Sequence, residues 1–425
     1  MHQTKKILVT TFAVFSLFFG AGNLIFPPLL GYQSGEMWWL VAIGFCLSAV
    51  LIPIFGILAH AKLQGTIFDF GKKVSPKFSL VYSILIYAIS ISLPSPRTAS
   101  VTHEIAIQPF FNFDYIITSI CYFSLVFIFV INRSKILNIL GKLLTPAIIL
   151  ILLIVISITL FSFDLSFGET LFANPFSNGI REGYQTFDAI GAVVVGGVII
   201  VSINLSEKGA SYEEKKDLIR KAGFLAGIAL LLIYTGLILT GAVMHKEFSP
   251  DVTRIALLNG VSTKALGNNA NLILSILVSL ACFTTAVGIV AGTADFMKHL
   301  FKESNKAYLI TAISGCVLGV VMGQFDVNYI ITIALPALMF IYPITIVLIL
   351  LNVAPDKFAS AKVFRVVIVI TMLFSIPDFL DTVGLGNYIS TLKNYIPFAK
   401  QSMGWVLPAF IGFVATNLTQ RFNHE

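Results

Sequence analysis

The chain has very little charge for its length. Of its 425 residues only 12% are Asp, Glu, Lys or Arg, whereas 57% are hydrophobic. A soluble globular protein carries about 25% charged and roughly 45–50% apolar residues. A compact body of this size with so little polar surface would not stay in water. The composition therefore excludes a set of soluble domains and indicates a polytopic membrane protein.

Cysteine is also scarce, and patterns that bind metals or phosphates are missing. The four cysteines lie within apolar runs and lack metal-ligand spacing, which argues against a disulfide framework and against zinc. The sequence contains no Ser/His/Asp grouping, no metal-ligand cluster and no phosphate loop. We therefore expect neither an enzyme nor a bound cofactor. The net charge of +7 does not indicate a nucleic-acid partner, because the basic residues lie in short loops between apolar runs.

The apolar runs are continuous, which predicts helices and excludes a porin-like barrel of alternating strands. About 20 apolar residues are needed for one helical crossing. The first run is too long for a signal peptide and no cleavage site follows it, so we interpret it as a retained span. Twelve spans are predicted: 7–30, 38–60, 78–100, 115–131, 136–161, 184–204, 222–243, 270–297, 307–323, 328–351, 364–380 and 397–417.

The basic residues are sorted between the two sides of the predicted membrane. If the N-terminus is cytoplasmic, 21 of the 28 Lys and Arg residues fall in inside loops and Arg97 falls within a span. Positive charge concentrates on the cytoplasmic side of membrane proteins. The sequence therefore predicts a bacterial-type cell membrane protein with both termini in the cytoplasm. Six basic residues fall outside: Arg181, Lys246, Arg254, Lys264, Lys393 and Lys400.

Two spans are interrupted by residues that disfavour a lipid-facing helix. Gly20-Ala21-Gly22-Asn23 lies near the middle of span 1, and Pro27-Pro28 is expected to end that span. Span 6 contains Phe187-Asp188-Ala189-Ile190-Gly191. Small residues also occur where two helices cross closely. The alternative is a discontinuous helix whose broken ends expose carbonyls to a cation and amides to a carboxylate.

The positions of the two interruptions favour the discontinuous helices. Spans 1 and 6 are five spans apart, so they enter the membrane from opposite sides. Interruptions at corresponding places in two oppositely oriented halves indicate an inverted repeat with a binding site near the midplane. The pattern is typical of a secondary transporter. A channel would need a ring of repeated filter residues, which the sequence lacks.

The segment 15–28, FSLFFGAGNLIFPP, resembles the first-helix signature of the branched-chain amino acid:cation symporters. Further motifs of this family are similar in order along the chain: Pro96-Arg97-Thr98-Ala99 with Glu104, Gly183-Tyr184 through Asp188-Ala189, and Tyr342-Pro343. The resemblance implies an all-α LeuT-type fold of five plus five inverted-repeat helices with two more at the C-terminus. It places the repeats at 7–161 and 184–351 and the extra helices at 364–417. It also implies sodium-coupled uptake of leucine, isoleucine and valine.

The interruptions offer partners for each part of such a substrate. Ala21, Gly22 and Asn23 begin a second half-helix, and their amides would donate hydrogen bonds to the carboxylate. Carbonyls of an unwound stretch Phe187–Gly191, including Asp188 and Ala189, would take the ammonium, and Phe187 and Ile190 would line an apolar pocket. Such a pocket separates side chains differing by one methylene by only about 1–3 kcal/mol. All three branched-chain amino acids are therefore expected substrates.

Span 8 offers a carbonyl at Ala281 and hydroxyls at Thr284 and Thr285, which are hard oxygen ligands. By resemblance to LeuT-type transporters, these would join the carbonyls of Ser16 and Phe19 around one sodium ion. Without that resemblance, two threonines in a span are expected to bond back to their own helix.

Charges at membrane depth cost at least about 2.5–3.5 kcal/mol and normally face the interior with a partner. Asp188 is expected to meet the substrate ammonium, to carry a proton, or to pair with a helix end. Arg97 and Glu104 stand two helical turns apart and are expected to form an ion pair, with an outer gate as the alternative.

Two alternative functions remain open. The main alternative is a proton-coupled symporter of another neutral amino acid, and the alternative from another class is a membrane-embedded enzyme. The chain is expected to reside in the lipid bilayer, and no protein partner is expected.

Overall fold

The computed structural model describes residues 2–132, 145–207, 209–267 and 270–422, and within these ranges the chain is helical without β-strands. Three of its spans carry a π-helical turn, at 47–51, 103–107 and 381–385. The α-helices are α1 His2–Phe18, α2 Ala21–Ser34, α3 Trp38–Cys46, α4 Ile52–Leu63, α5 Ile67–Gly71, α6 Pro76–Ser92, α7 Pro94–Thr102, α8 Tyr115–Ile131, α9 Thr145–Ser162, α10 Pro175–Tyr184, α11 Asp188–Ser206, α12 Tyr212–Val243, α13 Arg254–Leu266, α14 Ala270–Leu300, α15 Asn305–Met322, α16 Val327–Val353, α17 Ala361–Leu380, α18 Gly386–Tyr395 and α19 Val406–Phe422.

The membrane character predicted from the apolar runs is confirmed. In the described part of the chain, nine helical stretches are long and apolar enough to cross a bilayer, and α8 is a shorter apolar helix. Each of the twelve predicted spans overlaps a helix, although residues 136–144 of the predicted span 136–161 lie outside the described residues. The number of twelve crossings and the bounds of the two repeats stay predictions.

Span 1 is discontinuous, as predicted. Helix α1 ends at Phe18, Gly20 is extended with φ −123° and ψ −161°, and α2 begins at Ala21. The amide of Gly20 donates to the side-chain oxygen of Asn23 at 3.2 Å, which caps the new helix. We name Phe19 and Gly20 the first break. The expectation that Pro27-Pro28 ends the span was wrong, because α2 continues through both prolines to Ser34.

Span 6 is also discontinuous, but its bounds and its break differ from the prediction. It begins at Pro175, where proline suits the first turn of a helix because it has no amide hydrogen to satisfy. The break comprises Gln185–Phe187, and Phe187 takes a left-handed conformation with φ +66°. The amide of Gly191 donates to the carbonyl of Phe187 at 2.6 Å. That bond closes the first turn of α11, so 188–191 is helical rather than unwound. We name Gln185–Phe187 the second break.

Close helix contacts hold the second half of span 1 in the interior. A Cβ on Gly31 would lie 1.8 Å from the carbonyl oxygen of Ile238, and one on Gly241 would lie 1.8 Å from that of Pro28. Helices α2 and α12 therefore pack backbone against backbone. Helix α1 packs on α12 and α14, and α11 packs on α4 and α14. The two breaks consequently meet in the centre of the helix bundle.

Candidate substrate and ion site

A small cavity lies between the two breaks. Its volume of about 30 Å³ is room for roughly one water molecule. A leucine would fit only after the lining side chains move apart. Helices α6, α7 and α14 complete the lining, which includes Leu17, Phe18, Gly20, Ala21, Gly22, Asn23, Ser90, Pro94, Arg97, Thr98, Thr186, Phe187, Asp188, Ile190, Gly191, Val195, Thr285 and Ile289.

Most of the predicted substrate residues line this cavity. Ala21, Gly22 and Asn23 form the first turn of α2, where the amides have no partner within the helix and the helix dipole is positive. The exception is Ala189, which does not line the cavity. Its amide donates instead to the hydroxyl of Tyr342 on α16, at 3.1 Å. The predicted ammonium-binding carbonyls of an unwound Phe187–Gly191 are not available either, because 188–191 form the first turn of α11 and the carbonyl of Phe187 accepts the amide of Gly191.

The carboxylate of Asp188 joins the two breaks. The amide nitrogen of the Asn23 side chain donates to it at 2.5 Å, and the hydroxyl of Tyr234 donates to it at 3.3 Å. The Asn23 side chain also contacts the Tyr234 hydroxyl. All three side chains are buried. A buried carboxylate is stable in its charged form only when a cation pairs with it, and neither Asn23 nor Tyr234 supplies a positive charge.

Tyr234 is a site residue that the sequence analysis missed. It lies on α12 in an apolar run, and its ring stacks on Phe19 with centroids 6.0 Å apart. A buried tyrosine hydroxyl needs a hydrogen-bond partner, so its presence in a membrane span was a usable signal. The sequence could not indicate that the partners would be Asn23 and Asp188, 211 and 46 residues away.

Arg97 faces the same cavity from α7. Its guanidinium donates to the carbonyl of Gln185 in the second break, at 2.8 Å. It also lies over the rings of Phe26 and Phe187, 5.5 and 5.2 Å from their centroids. The guanidinium therefore contacts both broken spans at once.

The expected ion pair between Arg97 and Glu104 does not form. Glu104 lies in the π-helical turn and accepts a hydrogen bond from the amide of Val327, at 3.0 Å. Val327 is the first residue of α16, and a helix N-terminus attracts a negative charge. Glu104 therefore accepts a hydrogen bond at the N-terminus of α16, whereas Arg97 points into the cavity.

Four of the five residues expected around sodium, Ser16, Ala281, Thr284 and Thr285, come together beside the first break. The hydroxyl of Thr284 donates to the carbonyl of Ser16 at 2.8 Å and to that of Ala281 at 3.0 Å. The hydroxyl of Thr285 donates to the same Ala281 carbonyl at 3.2 Å. A Cβ on Gly20, directly after Phe19, would lie 2.5 Å from the Thr285 hydroxyl oxygen. The set consists of neutral, hard oxygen atoms, which suits an alkali cation.

Comparison with known proteins identifies the family. Residues 3–423 match the family model described as "Branched-chain amino acid transport protein". The chain belongs to this family. A branched-chain amino acid transport system 2 carrier protein of Pseudomonas aeruginosa is 30% identical, over 98% of this chain and 96% of that protein. The branched-chain amino acid permease BrnQ of Bacillus subtilis is 32% identical, over 96% of each chain. The protein is therefore a branched-chain amino acid transporter of the membrane and not an enzyme.

Solved structures show what fold this transporter family adopts. Mhp1, a nucleobase-cation-symport-1 family transporter in a closed conformation, matches with a TM-score of 0.58 at 12% identity, over 98% of this chain and 92% of that one. A Na⁺-coupled sialic acid symporter matches with a TM-score of 0.56 at 11% identity, over 91% and 90% of the two chains. The branched-chain amino acid transporter therefore has the LeuT-type fold that the sequence motifs implied.

Proposed function

We propose that the protein is a sodium-coupled symporter that imports leucine, isoleucine and valine by alternating access. The observation that carries the proposal is the contact between Asn23 and Asp188, which joins the two helix breaks beside the open amides of α2. A positive helix end and a carboxylate both line one cavity, and they match the two charges of an amino acid. The apolar residues Phe187 and Ile190 fit its side chain.

The sodium ion is assigned to the oxygen atoms of Ser16, Phe19, Ala281, Thr284 and Thr285. These residues belong to α1, the first break and α14, and Thr284 already links the two helices by its hydrogen bond to the Ser16 carbonyl. A cation bound there would hold α1 against α14 and keep the first break in place for the substrate. One charge crossing a potential of 100 mV releases about 2.3 kcal/mol, which is on the order of a 50-fold gradient of a neutral zwitterion.

The orientation with both termini in the cytoplasm follows from the distribution of basic residues. Contacts in the structure place residues of different predicted inside loops together, which supports their lying on one common side of the membrane. Lys6 pairs with Glu207 at 2.8 Å, and Lys62 pairs with Asp356 at 3.1 Å. Negative membrane potential would then drive sodium, and the substrate with it, toward the side of the termini.

Proton coupling is the second candidate, and one observation favours it. Asp188 is a buried carboxylate whose hydrogen-bond partners, Asn23 and Tyr234, are neutral. A proton on Asp188 would replace sodium as the coupling charge. The two mechanisms differ in which gradient drives uptake, and not in the position of the substrate.

The test is uptake of labelled leucine into proteoliposomes under imposed gradients. We expect an inward sodium gradient to drive accumulation at constant pH, and unlabelled isoleucine and valine to compete. Accumulation driven equally well by a proton gradient in sodium-free buffer would overturn sodium coupling. A lack of competition by isoleucine and valine would contradict the substrate assignment.

A further inference from the structure

The guanidinium of Arg97 is a buried charge with few partners. The side chain is 3% exposed, it donates one hydrogen bond to the Gln185 carbonyl, and its Nε has no hydrogen-bond partner among the described residues. A guanidinium carries five N–H donors, and a buried charge is stable only when it is paired. Asp188 is the nearby acid, but its hydrogen bonds come from Asn23 and Tyr234. Arg97 therefore has donors to spare.

The free edge of this guanidinium lies at the start of α2. Its Nη2 is 2.7 Å from the place where a Cβ on Gly22 would stand. Gly22 belongs to the first turn of α2, whose amides and dipole are themselves positive. Two independent positive groups thus converge on one side of the cavity. The rings of Phe26 and Phe187 lie against the guanidinium, which restricts its movement in the cavity.

We infer that Arg97 is a substrate-binding residue, and that its guanidinium holds the carboxylate of the amino acid against the first turn of α2. The inference rests on the proposed function. Arginine binds a carboxylate with two parallel hydrogen bonds, which adds direction as well as energy. The ammonium would then face Asp188, and the apolar side chain would face Ile190. Arg97 also contacts the second break through Gln185, so the bound carboxylate would draw both breaks onto the substrate.

A competing explanation is that Arg97 only anchors α7 to the second break. The two explanations differ in which ligands they affect. An anchor supports the whole cavity, so its loss would weaken ligands with and without a carboxylate alike. A carboxylate-binding arginine acts on the carboxylate alone. The comparison of leucine with leucinamide, which keeps the ammonium and side chain but replaces the carboxylate by a neutral amide, separates them.

The experiment is calorimetric titration of the purified full-length protein with both ligands in saturating sodium. We expect the natural protein to bind leucine much more tightly than leucinamide. Hydrogen bonds to a charged group contribute about 1.5–3 kcal/mol, so Arg97→Gln should raise the Kd for leucine about 10- to 150-fold. The Kd for leucinamide should change less than about threefold. The ratio of the Kd for leucinamide to the Kd for leucine should therefore fall strongly.

Arg254→Gln is the matched control. Arg254 also lies over the Phe26 ring, 5.0 Å from its centroid, and pairs with Glu182 at 3.3 Å. It is outside the cavity lining, so the ratio between leucine and leucinamide should stay as in the natural protein. Arg97→Lys is the second variant, because it keeps the charge but loses the two-pronged geometry. It should reduce the ratio by roughly tenfold.

Each outcome decides the inference. Equal weakening of both ligands in Arg97→Gln, or an unchanged ratio, would overturn the role of Arg97 and leave the proposed function standing. If Arg97→Gln does not fold, as judged by gel filtration, an unchanged ratio in Arg97→Lys would overturn it. A natural protein that binds no leucine in sodium would overturn the proposed function and this inference together.

Discussion

The hydroxyl of Thr284 donates a 2.8 Å hydrogen bond to the carbonyl of Ser16, although the two residues are 268 positions apart in the chain. The bond lies in the interior and connects α14 to the last turn of α1, directly before the first break. This hydrogen bond holds the oxygen atoms assigned to sodium close to the first turn of α2, whose amides are assigned to the substrate. Coupling between ion and substrate would act through this short distance.

Replacing Thr284 with valine should weaken sodium binding. The change keeps the shape of the side chain and removes one oxygen ligand, a loss of about 1.5–3 kcal/mol for a charged partner. We expect the sodium concentration for half-maximal leucine uptake to rise at least about tenfold. Thr284→Ser, which keeps the hydroxyl, should stay near the natural value. An unchanged sodium dependence in Thr284→Val would remove this residue from the ligand set.

Replacing Asp188 with asparagine should abolish most transport. The side chain keeps its size but no longer carries the charge that would face the substrate ammonium. We expect leucine uptake in proteoliposomes to fall at least about tenfold, since an ionic hydrogen bond contributes about 1.5–3 kcal/mol. Asp381→Asn is the control, because that carboxylate is half-exposed and pairs with Lys393 at 2.7 Å. Normal uptake by Asp188→Asn would make the carboxylate purely structural.

Adding a methyl group between α2 and α12 should destabilise the protein. A Cβ on Gly31 or Gly241 would overlap a backbone carbonyl of the other helix, and backbone cannot rotate away as a side chain can. We expect Gly31→Ala or Gly241→Ala to cost about 1–3 kcal/mol or more. The measurement is the temperature at which half of the detergent-purified protein stays monodisperse.

Gly197→Ala serves as the control for this packing prediction. Gly197 lies in α11, and a Cβ there would meet no atom of the described residues within 4 Å. Alanine also favours a helix over glycine by about 1 kcal/mol, so this variant should be as stable as the natural protein or more so. Equal thermal behaviour of all three variants would contradict the close packing of α2 on α12.

Labelling of single cysteines should report the orientation in the membrane. Cys121 is the exposed natural cysteine among the four, so Cys121→Ser provides the background. Ser249→Cys lies in an exposed loop predicted to be outside, and Lys357→Cys in an exposed loop predicted to be inside. We expect a membrane-impermeant maleimide to label Ser249→Cys in intact cells and Lys357→Cys only after lysis. The reverse pattern would invert the topology.

Much of the fold was predictable because membrane insertion leaves its mark on local sequence. Continuous apolar runs predict helices, and Gly20 with Asn23 marks the break in span 1. The break in span 6 was harder to locate. Asp188 and Gly191 look unsuitable for a helix in lipid, but they lie in the interior, where the Asp188 carboxylate has partners. The left-handed conformation of Phe187 leaves no sign in the sequence, since only glycine adopts it without strain.

The sequence alone determined the class of this protein: its scarce charges, long apolar runs and two interrupted spans predict a transporter with a central site. Tertiary structure decided which side chains meet in that site. Arg97 was expected to pair with Glu104 because they are two turns apart. Glu104 instead lies in a π-helical turn and accepts a hydrogen bond from the amide of Val327. Tyr234 joins Asn23 and Asp188 only because α12 packs against the broken span. Local sequence patterns predict burial and helix breaks, whereas the packing of helices determines which residues distant along the chain come into contact.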